Sequence, residues 1–311
     1  MTSLRTLYRN RWFRYALTVV LLALVALKVQ PGKITEAAGS ARPEDLTAAL
    51  ALTVPFLLLK ALRWYAMLRA ASIEAGFSEA AYSLIGGMGL ALITPARLGE
   101  LVRAAYLRDR QKWKIGGLVL VDKGFDVLVL AGLSVPGAAV LLGIVPAVAL
   151  AAATAAGLLV VYNPVRVAGL LSRATTRLPA RRQLLEAFSS LESLGSRPTS
   201  EFLALTLVAF AVVLLQFGII LLSWHSWSPE IVLLTFPMVI LTNVLPLTVG
   251  GLGIREGAAA LLLAHFGVSA ADAALAAFLM FVINTALPGV IGALFLPAPS
   301  GAARTAGIQR P

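Results

Sequence analysis

Thr94-Pro95-Ala96-Arg97-Leu98-Gly99-Glu100-Leu101-Val102-Arg103 follows an apolar run over residues 80–94 that carries Gly86, Gly87 and Gly89. Basic residues flank that run on both sides: Lys60, Arg63 and Arg69 before it, then Arg97, Arg103, Arg108, Arg110, Lys112 and Lys114. A simple crossing would put one of these clusters outside the cell, against the preference of Lys and Arg for cytoplasmic loops. The run is also short for a hydrocarbon core of about 30 Å, which takes ~20 helical residues. A re-entrant hairpin satisfies both constraints. Residues 80–94 dip in from the cytoplasm, the chain breaks at Thr94-Pro95, and residues 98–107 return. Broken backbone at membrane depth survives only where it is buried in protein or lines a wet cavity.

The composition of the whole chain agrees. Of 311 residues 59% are hydrophobic and only 13% charged, with a mean hydropathy of +0.86; soluble domains carry about 25% charged residues. So few charges cannot cover a water-exposed surface, which excludes a soluble enzyme and a disordered chain. There is no cysteine, hence no disulfide, thiol nucleophile or thiolate metal site. The two histidines, His225 and His265, are too few and too far apart for a histidine-built metal centre. The net charge of +11 is read as a topology signal and as contact with anionic headgroups. No nucleic-acid motif accompanies it, and nucleic acid is not expected as a partner.

Working outward, Arg5, Arg9, Arg11 and Arg14 precede an apolar run over 15–27. It reads as a retained signal-anchor, in preference to a cleaved signal peptide, with its N-terminus cytoplasmic. Residues 28–45 form an outside loop, and 46–62 cross back to a cytoplasmic boundary at Lys60, Arg63 and Arg69. Spans at 115–135 and 137–161 follow. Residues 163–197 carry six Arg against Glu186 and Glu192. They read as a cytoplasmic connector, an amphipathic helix bearing Leu184, Leu185, Phe188, Leu191 and Leu194 at helical spacing. Residues 202–222 cross outward to an aromatic belt at Trp224 and Trp227. Residues 231–245 enter, Pro246 and Gly250-Gly251-Leu252-Gly253 break the helix, and 254–266 return. A last span over 271–296 leaves Arg304 and Arg310 inside. The expected fold class is an all-α polytopic membrane protein with two inverted halves, each with a re-entrant helical hairpin. It is one membrane domain over 1–311: an N-terminal half 1–162, a connector 163–200, a C-terminal half 201–297 and a tail 298–311. This assignment leaves two cations, Lys123 and Arg255, at membrane depth.

The two breaks resemble each other. Pro95, Gly99, Glu100 and Arg103 in the first match Pro246, Gly250, Gly251, Gly253, Arg255 and Glu256 in the second, each opening an apolar helix. Broken helices at corresponding positions of two halves are the best sequence pointer to a transporter's central site. Each charge there would cost at least ~2.5 kcal/mol at the bilayer centre, which favours a functional reading over simple kinks. Freed amides at the helix starts, with Arg97, Arg103 or Arg255 beside them, suit a phosphate group. Glu100 is three residues from both Arg97 and Arg103 and can orient either. A purely structural pairing of Glu100 and Glu256 with these arginines stands beside that reading at about even weight. Asp122 and Asp126 share one helix face and are expected to face a wet interior. Lys123 either joins them or snorkels to the cytoplasmic interface. Asn284 reads as a helix–helix hydrogen bond. No activated nucleophile or phosphate loop accompanies the carboxylates, so no catalytic residue, cofactor or metal is expected.

Ala61-Leu62-Arg63-Trp64, Thr94 to Arg103 and Val121-Asp122-Lys123-Gly124-Phe125-Asp126 together resemble the flippase-like family, the lysylphosphatidylglycerol synthase transmembrane-domain family. Pro246 to Glu256, followed by His265-Phe266-Gly267-Val268-Ser269, is similar to its second signature. The resemblance implies translocation of a lipid or lipid-linked headgroup, without the soluble aminoacyl-transferase domain of the bifunctional members. Two departures point to a different lipid: Lys123 stands where the family often has Arg, and apolar residues surround Phe281 where an Arg is common. The resulting expectation is a transporter moving an anionic phospholipid or polyprenyl-linked lipid between leaflets of a bacterial or archaeal cytoplasmic membrane, both termini cytoplasmic. Arg97, Glu100, Arg103, Asp122, Asp126, Arg255 and Glu256 would form its substrate site. Two alternatives remain: a membrane transferase acting on a lipid-linked donor, and a non-catalytic partner of a lipid or glycan biosynthetic enzyme.

Overall fold

The computed structural model describes residues 31–93, 100–108, 111–167, 189–226, 228–244, 248 and 251–295. The expected span over 15–27, most of the connector (Leu184, Leu185 and Phe188 included), Trp227 and the tail lie outside them. So do Pro95, Arg97, Gly99, Pro246 and Gly250.

The described residues are helical, with no strand among them. In chain order the helices are α1 (Pro31–Ser40), α2 (Pro43–Ala51), α3 (Thr53–Ala70), α4 (Phe77–Ile93), α5 (Arg103–Tyr106) and α6 (Lys112–Leu141). They continue as α7 (Ile144–Tyr162), α8 (Ser196–Leu221), α9 (Pro229–Leu241), α10 (Ile254–Leu263), α11 (Ala270–Phe281) and α12 (Leu287–Phe295). Among the described residues five stretches are long and apolar enough to cross a membrane: Pro43–Ala70, Lys112–Leu141, Ile144–Tyr162, Thr199–Leu221 and Ala270–Gly292. The chain is an all-α polytopic membrane protein.

Several boundaries differ from the sequence expectation, each for a local reason. The outside loop over 28–45 contains α1 and the start of α2. Pro43 is the first residue of α2, where its missing N–H costs nothing, and Glu44 and Asp45 suit the positive helix start. The span expected to end at 62 continues to Ala70, because Trp64, Met67 and Leu68 carry on the apolar face and are fully buried. Helix α6 runs through Pro136 to Leu141, and the turn comes at Gly143, with φ +95°. Gly137, expected to open the next span, instead lets α6 touch α9: a Cβ there would lie 1.9 Å from the Leu234 carbonyl oxygen.

Helix pairs from the two sequence halves interlock. α3 packs on α8, α6 on α9, and α4 on α12. One apolar cluster centres on Phe217 and Phe236, whose rings stack with centroids 3.6 Å apart. A second joins Trp64, Met67, Leu84, Leu118, Phe125 and Phe202. Between α11 and α12 the helix passes through a π-turn at Val282–Ala286. Pro288, four residues after Asn284, has no N–H to donate to its carbonyl, which accounts for the register slip.

Close helix approach at glycine gives a direct test. Gly137→Ala and Gly292→Ala, the latter facing the Ile85 carbonyl oxygen at 2.2 Å, should each cost about 1–3 kcal/mol by forcing helices apart. Gly124→Ala, with nothing within 4 Å of its Cβ, should be neutral or stabilise by up to ~1 kcal/mol. Thermal melts in detergent distinguish these outcomes; equal melting of all three would remove the close crossing.

Candidate functional site

Asp122 and Asp126 lie 10 and 14 residues into α6, about 15–21 Å along its axis from Lys112. That is a third to a half of the way along the helix, and an ionised group within a membrane-spanning helix needs counter-charge. The counter-charge comes from α3, from the first residue of α5 and from Lys123 on α6 itself. Arg63 Nη2 donates to Asp122 Oδ1 at 2.6 Å, and its Nη1 pairs with Asp126 Oδ1 at 2.8 Å. The same Nη1 reaches Thr206 Oγ1 on α8 at 2.5 Å. Arg103 Nη1 donates to Asp122 Oδ2 at 2.9 Å and its Nη2 to Glu100 Oε2 at 2.7 Å. Lys123 Nζ lies 2.5 Å from Glu100 Oε2 and 3.9 Å from Asp126 Oδ2. Lys60 Nζ lies 2.7 Å from Asp126 Oδ2.

These contacts close a ring: Asp126, Arg63, Asp122, Arg103, Glu100, Lys123 and back to Asp126, with Lys60 attached at Asp126. Arg63, Arg103, Asp122 and Glu100 are buried to 3% exposure or less. The Arg103 guanidinium also stands 5.4 Å over the Trp64 ring. Trp64 in turn donates from Nε1 to Ser83 Oγ at 2.8 Å, which ties α3 to α4. Gly86 and Gly87 admit this arrangement, since a Cβ would meet Tyr106 and Arg103 at 2.6 Å.

A cavity of about 360 Å³ opens beside the ring, within the ~300–1,000 Å³ usual for ligand sites. Lys60, Glu100, Arg103, Lys123 and Asp126 contribute to its lining, and Arg255 joins them from α10. Most of the other lining residues are apolar, Leu130, Phe210, Val213, Phe236 and Met280 among them. Four cations and two carboxylates therefore face an apolar chamber. Asn243 and Asn284 add neutral polar groups. Asn284 also exchanges amide hydrogen bonds with the buried Gln216, Nδ2 to Oε1 at 2.9 Å and Nε2 to Oδ1 at 3.3 Å. It is thus both the helix–helix contact the sequence suggested and part of the cavity wall.

Of the residues singled out by sequence, Glu100, Arg103, Asp126 and Arg255 meet at this cavity. Asp122 and Glu256 do not line it. Asp122 sits behind the wall with both oxygens held by arginines. Glu256 turns inward at the start of α10. Its Oε2 accepts from Gly253 N at 2.6 Å, and its Oε1 from Arg255 Nη2 at 2.5 Å. The backbone there was expected to offer open amides to a phosphate; one of them is already taken by this carboxylate. Gly251 and Gly253 hold positive φ of +75° and +84°, as a break needs. Arg97 is not among the described residues.

Sequence reasoning missed Lys60 and Arg63, taken as boundary cations. Their signal was the apolar stretch that resumes after Arg63, which places both within the span and three residues apart on one face. Lys123 does not snorkel; it belongs to the ring. Among the described residues no three His, Asp, Glu or Cys side chains converge as metal ligands.

Residues 11–292 match the family described as the lysylphosphatidylglycerol synthase TM region. A stretch of 125 residues is 34% identical to the glycosyltransferase AglD of Haloferax volcanii, covering 38% of this chain and 19% of that protein. The chain thus aligns with about a fifth of this curated relative. With the match spanning most of its length, including every helix of the ion-pair ring and the cavity, the chain belongs to the lysylphosphatidylglycerol synthase transmembrane-region family.

Proposed function

We propose that the cavity takes the anionic head of a membrane lipid and that the protein moves this lipid between leaflets. One observation carries the reading: a chamber inside the helix bundle lined by four cations and two carboxylates together with aromatic and aliphatic side chains. Such a lining matches an amphiphile, its head at the charged groups and its chain along the apolar ones. A buried ionic network is a poor way to gain stability, so its upkeep at this depth supports a functional role. The reading carries with it two inverted halves, each with a re-entrant hairpin, in a bacterial or archaeal cytoplasmic membrane with both termini cytoplasmic; at the two breaks, residues 94–99, Pro246 and Gly250 lie outside the described residues.

A transport role fits the carboxylates better than catalysis does. Asp122 and Asp126 are each held by cations, which leaves neither placed as a base. The partial similarity to a glycosyltransferase favours, as a second reading, work beside a lipid- or glycan-modifying enzyme.

Reconstitution with headgroup-labelled phosphatidylglycerol tests the proposal. The protein should speed loss of inner-leaflet label to an external quencher, with lipid mass unchanged. Rates equal to protein-free vesicles would remove the flippase reading, and a new covalent product would replace it with the transferase.

A further inference from the structure

Resting on the lipid-binding reading, we infer that Lys60 and Lys123 are the ligand-facing anion contacts, taking one phosphodiester together, while Arg63 and Arg103 serve as the frame. The division follows from exposure together with donor use. Arg63 commits Nη1 to Thr206 and Asp126 and Nη2 to the Asp122 carboxylate and carbonyl. Arg103 gives Nη1 to Asp122 and Nη2 to Glu100; it lines the cavity and keeps further N–H groups, but its side chain is only 1% exposed. Both are 2% exposed or less, and Arg63 does not line the cavity.

The two lysines differ. Each ammonium has three N–H donors, and both side chains line the cavity. Lys60 Nζ is committed to Asp126 Oδ2 and Lys123 Nζ to Glu100 Oε2, which leaves donors on each for a ligand. Both amines also lie close to one atom, Asp126 Oδ2, at 2.7 and 3.9 Å. One phosphate can therefore sit across them. The Lys123 side chain is 35% exposed, the most open member of the ring.

Charge sets the class of ligand. Among the described residues the ring and Lys60 hold four cations against Glu100, Asp122 and Asp126, and Arg255 is offset by Glu256. One positive charge is in surplus, which the single negative charge of a phosphodiester neutralises. A diphosphate would bring more negative charge than this surplus among the described residues offsets.

Removing the lysines should spare the fold, because Asp126 keeps Arg63 and Glu100 keeps Arg103. The test is native mass spectrometry of the purified full chain with two probes in separate arms, phosphatidylglycerol and a polyprenyl-phosphoryl-mannose. Retention of the first alone assigns a glycerophospholipid, and of the second alone a polyprenyl lipid. Retention of neither by the wild type removes the lipid-site reading and this inference with it. With a retained probe, Lys60→Gln/Lys123→Gln should bind at least about tenfold more weakly while melting near wild type. Wild-type affinity in the folded double variant overturns the lysine assignment and leaves the lipid site standing. Should that variant not fold, the wild type decides: bound probe should slow reductive methylation of Lys60 and Lys123 but not of Lys112. Unchanged rates at both cavity lysines overturn the inference.

Discussion

Asp122→Ala should yield little folded protein, with a loss of about 3–5 kcal/mol. Asp122 is 1% exposed and gives one oxygen to Arg63 and the other to Arg103. Its removal takes one counter-ion from each of two buried guanidinium groups, leaving Arg63 with Asp126 and Arg103 with Glu100, and removes the carboxylate that α3 and α5 share on α6. Asp122→Asn keeps the shape and loses the charge, so it should fall between. Asp126→Ala should cost less, since its side chain is 14% exposed and its Lys60 and Lys123 partners can turn to the cavity. Folded yield and melting temperature in detergent order the three variants. A wild-type melt for Asp122→Ala would show that the ring does not hold these helices together.

Arg255→Ala should also fail at the level of folding, by about 3–5 kcal/mol. Glu256 is 3% exposed, and Arg255 holds its Oε1 at 2.5 Å. Without that partner a buried carboxylate is left with the Gly253 amide. Arg255→Ala/Glu256→Ala should recover most of the yield, less the cap, worth roughly 0.5–2 kcal/mol. Lipid translocation should remain lost in the double variant, because Arg255 also forms part of the cavity wall and packs 4.8 Å over Phe281. Recovery of yield and transport together would confine Arg255 to neutralising Glu256.

Much of the architecture was legible along the chain because it rests on local physics. Apolar runs marked the spans, and the glycines at 251 and 253 marked a turn of positive φ. The Glu100–Arg103 pair followed from three-residue spacing, and the structure joins them at 2.7 Å. A pairing of Glu256 with an arginine stood beside the ligand role in the sequence reading, and the structure joins it to Arg255. Neighbours in sequence diverge within a helix, and these two meet because they occupy the first turn of α10.

What the sequence by itself determined is an all-α membrane chain and the presence of ionisable groups too costly to face lipid. Only the tertiary structure decided which of those groups meet. Lys60 and Arg63 reach Asp126 and Asp122 across some sixty residues because α3, α6 and α8 pack side by side. The same packing turned two apparent boundary cations into ring members and placed Asp122 behind the cavity wall. It also brought Arg255 from the other half of the chain to the same chamber. Helical periodicity gives the face a residue occupies, but its partner across a helix interface depends on the rotation and depth of both helices. In a bilayer that choice is forced by the cost of leaving any one of these charges alone.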